Sequence, residues 1–83
     1  MGGIKVWEFK VRFRTSLDIQ DFISWATVQP YTITVGNDSY QVNGSSFMGM
    51  FTLDYSRDLT VKVSCTEEEF HRLLREADRF LTN

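Results

Sequence analysis

Apolar and polar residues take turns from Trp7 to Arg14. Trp7, Phe9, Val11 and Phe13 alternate with Glu8, Lys10, Arg12 and Arg14. A period of two puts one set on a buried face and the other in water, and so predicts a strand. The period then changes. Ile19, Phe22, Ile23 and Ala26 fall at i, i+3, i+4 and i+7, one apolar stripe of a helix. Asp18 sits just ahead of that stripe, where an N-cap carboxylate accepts free backbone N–H groups. Pro30 blocks continuation and pushes Gln29 towards extended geometry. Tyr31, Ile33 and Val35 alternate with Thr32 and Thr34 in a second strand rich in β-branched residues. Gly36-Asn37-Asp38-Ser39 is turn chemistry, so Tyr40-Gln41-Val42 should return as a short third strand of a hairpin. Asn43-Gly44 turns the chain again. Ser45 or Ser46 can cap a short helix that uses Phe47, Met48, Met50 and Phe51.

Asp54 to Asp58 reads as a loop. Leu59, Val61, Val63 and Cys65 then alternate with Thr60, Lys62 and Ser64 in a fourth strand. Thr66 followed by Glu69 is a capping box. The stripe Phe70, Leu73, Leu74, Ala77, Phe80 and Leu81 predicts a last helix that runs to Leu81. Glu67, Glu68 and Glu69 crowd its start and Arg72, Arg75 and Arg79 follow, an order that complements the helix dipole. The succession β-α-β-β-α-β-α predicts an α+β fold, with three helices covering one face of a four-stranded antiparallel sheet. Periodicity alone does not pair the strands.

Composition narrows the function classes. With 83 residues the chain has room for one domain, residues 1–83, and a 42% hydrophobic content is that of a globular protein. The net charge of −2 argues against a dedicated nucleic-acid binder. Lys10, Arg12 and Arg14 do form a basic stripe beside aromatic residues. The aromatics alternate out of phase with the charges, however, and should face the core. One cysteine, Cys65, rules out an intrachain disulfide and reads as a buried small residue. His71, on a helix rich in Glu and Arg, reads as a surface residue with no second metal ligand beyond Glu67 at helical spacing. No run is long enough to span a membrane and no signal-peptide pattern follows Met1; Gly2-Gly3 reads as a flexible start. The expectation is a cytoplasmic protein with no membrane partner, no nucleic-acid partner, no metal and no cofactor.

The stretch Val42 to Leu53, and in it Ser46-Phe47-Met48-Gly49, resembles the regulatory-serine segment of the HPr phosphocarrier family of bacterial sugar phosphotransferase systems. The resemblance extends from the first strand to the last helix, and it implies the open-faced sandwich of that family, with its strand pairing. In the family the first strand leads into a Gly-Leu-His-Ala-Arg-Pro-Ala pattern whose histidine carries the phosphate. Here the equivalent residues are Ser16-Leu17-Asp18-Ile19-Gln20-Asp21-Phe22. Asp18 stands in place of the histidine, Gln20 of the arginine and Asp21 of the proline. A phosphate at this helix start would meet two carboxylates where a bidentate arginine is needed.

The resemblance therefore implies a non-enzymatic relative that lacks histidine relay and serves as a regulatory or interaction module. Ser46 is its candidate phosphorylation site. Phe47, Met48 and Met50 are its candidate docking residues. A serine kinase and a transcriptional or phosphotransferase-system protein are the implied partners. Two other readings stay open: a phosphocarrier that uses the Asp18 carboxylate, and a structural domain in which Ser46 only caps its helix.

Overall fold

A computed structural model describes residues 3–82; Gly2, half of the glycine pair noted above, lies outside the described residues. The strands are β1 (Lys5–Val11), β2 (Ile33–Gly36), β3 (Gln41–Asn43) and β4 (Leu59–Cys65). The helices are α1 (Ser16–Thr27), α2 (Phe47–Met50) and α3 (Glu67–Glu76), followed by a 3-10 turn at Asp78–Phe80. The sheet order is β1-β4-β2-β3, with every neighbouring pair antiparallel. The result is an open-faced sandwich, the expected α+β fold with one antiparallel sheet and three helices.

The period-two strands explain the layering. Phe9, Val11, Leu59, Val61, Val63, Cys65, Ile33 and Val35 are all buried, on the sheet face that the helices cover. Glu8, Lys10, Lys62 and Ser64 occupy the alternate positions and point to the other face. Register ties the two together: Phe9 lies opposite Val61, and Val61 in turn lies opposite Val35. α1 buries Ile19, Phe22, Ile23 and Ala26, the four residues of its stripe. α3 starts with the Thr66–Glu69 capping box and buries Phe70 and Leu73. Aromatic rings bind the layers together. Trp7 stacks on Phe70 with centroids 4.8 Å apart, and Phe13, Phe22 and Phe80 meet edge to face within 5.7 Å of one another. Cys65 is buried in this core, and His71 is exposed beside Glu67.

The last helix ends earlier than its apolar stripe predicts. Regular α-helix stops at Glu76, and the chain tightens through Phe80 N–H to Ala77 C=O and Leu81 N–H to Asp78 C=O, at 2.9 and 3.1 Å. The competing interaction is with β1. Arg12 N–H donates to Phe80 C=O at 2.8 Å, Thr82 N–H donates to Lys10 C=O at 3.2 Å, and Leu81 bridges Val11. A straight helix would carry these residues away from the sheet. The 3-10 turn keeps Phe80 in the core and lays the following residues along the β1 edge.

Candidate functional site

Local sequence sets the start of α1. Thr15 is the N-cap, its hydroxyl accepting from Asp18 N–H at 3.1 Å. This corrects the expectation that Asp18 is the cap. Asp18 is the third residue of the helix, and its carboxylate reaches back to accept Arg14 N–H at 3.0 Å. The signal was present as Thr15-Ser16-Leu17-Asp18, a hydroxyl followed three residues later by an acid. Here the acid reaches past the cap to the amide of Arg14, which requires it to lie inside the first turn.

A second partner comes from the far end of the chain. Arg79 donates to Asp18 Oδ1 at 2.6 Å and to Asp21 Oδ2 at 2.7 Å. The two carboxylates expected to repel an incoming phosphate are therefore bridged by one guanidinium. Nothing local in sequence announces this, because 61 residues separate Arg79 from Asp18. Both Asp18 oxygens are engaged. The Arg14 amide first, and then Arg79, hold its carboxyl below the ordinary carboxylate range, against partial burial. Gln20 is exposed.

The Asp18 shift fixes a sign. A carboxyl whose folded pKa lies below its unfolded value stabilises the fold above about pH 4, and this contribution is lost as pH falls through the folded pKa. Asp18→Asn is expected to cost about 1 kcal/mol at neutral pH. Urea unfolding of the two proteins should converge as the pH falls below the ordinary carboxylate range and through the folded pKa of Asp18. A gap that stays constant across that range would show that the charge contributes nothing.

α2 is a single turn with Ser46 as its N-cap. Ser46 Oγ accepts Gly49 N–H at 3.1 Å. One turn cannot hide all its apolar residues. Met50 points inward and is fully buried, which removes it from the candidate docking residues. Phe47 and Met48 point out, at 56% and 81% exposure, with Phe51 also exposed. The Phe47 and Phe51 rings lie 4.9 Å apart, and Phe51 in turn meets Tyr55 edge on. The string of apolar side chains leads to a groove of about 340 Å³ between the two helices. Phe13, Arg14, Thr15, Ser16 and Ile19 line it together with Phe51 and Tyr55. The Tyr55 hydroxyl is buried without a hydrogen-bond partner, and burial pushes its pKa up. Leu17, on the first turn of α1, is exposed next to Ser16.

The structure thus gathers the sequence candidates into two adjoining parts. One is a half-exposed ion-pair cluster of Asp18, Asp21 and Arg79. The other is an open apolar surface of Phe47, Met48 and Phe51 beside Ser46. Among the described residues no cluster of His, Cys, Asp and Glu is arranged to hold a metal ion, and no helix is long and apolar enough to cross a membrane. No family model, curated protein or solved structure matches the chain.

Proposed function

We propose that this chain is an interaction module related to the HPr phosphocarriers, acting in the cytoplasm in control of a sugar phosphotransferase system without carrying phosphate itself. The observation that supports this most directly is the exposure of Phe47 and Met48 side by side on the turn that Ser46 caps. Neighbouring large apolar side chains in water mark a contact surface more often than an accident of packing. The Ser46-Phe47-Met48-Gly49 segment and the three-helix, four-strand arrangement both agree with the family. In this reading a kinase modifies Ser46 and a transcriptional or phosphotransferase-system protein reads the result. A phosphoserine at this position adds charge and acceptor oxygens next to the apolar patch.

The alternative carrier reading, with Asp18 as acceptor, is disfavoured by geometry. An acyl phosphate there would have to displace the Arg14 amide or the Arg79 guanidinium. A structural role without phosphorylation is favoured by one observation, that Ser46 Oγ already serves as a cap.

Intact mass after incubation with ATP and a serine kinase of the family decides between them. Wild-type protein is expected to gain one phosphate and Ser46→Ala none. A Phe47→Ser, Met48→Ser double variant should react at least about tenfold more slowly with unchanged melting, as expected when a docking anchor is lost. Wild-type protein that stays unmodified where a genuine HPr is modified would overturn the regulatory reading. Equal rates for the double variant would overturn the docking role.

A further inference from the structure

We infer that Asn43-Gly44 is a self-modification site, at which the Gly44 amide attacks the Asn43 side chain, and that one backbone hydrogen bond gates it. The pair turns the chain between β3 and α2. In flexible chains such pairs cyclise readily, because glycine neither shields its amide nitrogen nor restricts the turn that ring closure needs. The step consumes only water. Gly44 N–H gives up its proton, the nitrogen bonds to Asn43 Cγ, and the side-chain amide takes up a proton and leaves as ammonia. Water then opens the cyclic imide at either carbonyl and returns a proton to the Gly44 nitrogen. The products are aspartate at position 43, or isoaspartate, in which the main chain runs through the former side chain.

The folded chain prepares one reactant and withholds the other. Asn43 Oδ1 accepts Ser45 N–H at 2.9 Å and the Ser45 hydroxyl at 2.8 Å. This turn folds the side chain over the Asn43–Gly44 peptide. Two donors on the carbonyl oxygen also draw charge away from Cγ, and they would stabilise the oxyanion that forms as the ring closes. The nucleophile, by contrast, is locked. Gly44 N–H donates to Ile33 C=O at 2.7 Å. Gly44 is also buried, so neither hydroxide nor a general base reaches its proton. Close packing holds that bond shut. A Cβ built on Gly44 would lie 3.2 Å from the Ile33 carbonyl oxygen and 3.3 Å from the Phe22 ring. Asn43 is itself paired with Thr34 across the hairpin. The Gly44 nitrogen is therefore released only when β3 parts from β2, a local opening and not a property of the native state. Isoaspartate inserts an extra backbone carbon ahead of Gly44, so the bond to Ile33 cannot be remade in register. The modification is a one-way mark on chains whose hairpin has opened.

Peptide mapping of isoaspartate at position 43 tests this on the full chain, incubated at mildly alkaline pH either folded or unfolded in guanidinium chloride. The folded chain is expected to form isoaspartate at least about tenfold more slowly than the unfolded one. Amide hydrogen exchange supplies the second measurement, because exchange at Gly44 requires the same opening and the loss of the same proton. Guanidinium below the unfolding transition should change both rates by the same factor. A folded chain that reacts as fast as the unfolded one would overturn the proposal, as would an unfolded chain that forms no isoaspartate there. So would Gly44 exchange that rises in guanidinium while isoaspartate formation does not. No kinase or partner enters these measurements, so the outcome is independent of the regulatory reading of Ser46.

Discussion

Phe22→Ala is expected to cost about 3–5 kcal/mol, the range for deleting a fully buried phenylalanine. In a domain of this size that is a large share of the whole stability. Phe22 has no solvent exposure. Its ring lies 5.2 Å from Phe13, 5.4 Å from Trp25 and 5.5 Å from Phe80, so it joins α1 to the segment before it and to the C-terminal turn. The position of Gly44 places a third element against it, with space for a Cβ only 3.3 Å from the Phe22 ring. Collapse into the void would have to move all of these at once, and dense interiors resist that. Urea denaturation followed by tryptophan fluorescence measures the loss. Trp25 touches Phe22, so its emission should also shift in the folded variant. A cost below about 1 kcal/mol would mean that the aromatic cluster repacks freely, contrary to its edge-to-face geometry.

The strands and helices that carry the core were legible because each has one period and one buried face. β4 runs from Leu59 to Cys65, the span of the alternation, and the α1 stripe is the buried set. Errors arose where two interactions compete for the same residues. Phe80 and Leu81 continue a helical stripe, but the β1 edge offers Arg12 N–H and Lys10 C=O, and these capture the chain. Tyr31 continues the alternation of Ile33 and Val35, yet β2 begins at Ile33. Tyr31 instead places its hydroxyl 2.9 Å from Arg72 on α3. Tertiary partners of this kind leave no periodic trace.

The candidate site was legible by proximity in sequence and not otherwise. Of the two serines that sequence offers as caps, Ser46 is the one used, and the outward course of Phe47 and Met48 agrees with the expected patch. Met50 was misplaced because a turn of four residues gives too few positions for a stripe to show which one faces inward. In sequence, Arg79 only complements a helix dipole. Its role against Asp18 and Asp21 depends on the C-terminal turn, which periodicity did not predict. The consequence for chemistry is direct. Sequence shows a helix start with two carboxylates and no cation, whereas the folded chain supplies the cation and uses it up in the same contact.

Gly36→Ala is expected to destabilise the fold by about 3 kcal/mol, at the upper end of overpacking costs, and to lower the melting midpoint by more than about 10 °C. A Cβ at Gly36 would collide with the Tyr40 carbonyl oxygen and would lie 2.9 Å from Gln41 Cα. Both are backbone atoms, so no side-chain rotation relieves the clash. The approach is required by the hairpin. Asn37 N–H donates to Tyr40 C=O at 2.9 Å, while Asn37 Oδ1 accepts Ser39 N–H and Tyr40 N–H, each at 2.9 Å. Opening the turn to fit a methyl group breaks this set and shifts β3 relative to β2. The disturbance should then reach the exposed apolar surface, because Val42 on β3 lies within 3.2 Å of a Cβ position at Gly49, in the turn that presents Phe47 and Met48. Thermal melting gives the stability change, and amide hydrogen exchange from Ser46 to Phe51 gives its spread. If Gly36→Ala melts with the wild type, the hairpin must accommodate a methyl group without opening. If it melts early while exchange in that segment is unchanged, the hairpin and the Ser46-capped turn are energetically separate, and Val42 does not couple them.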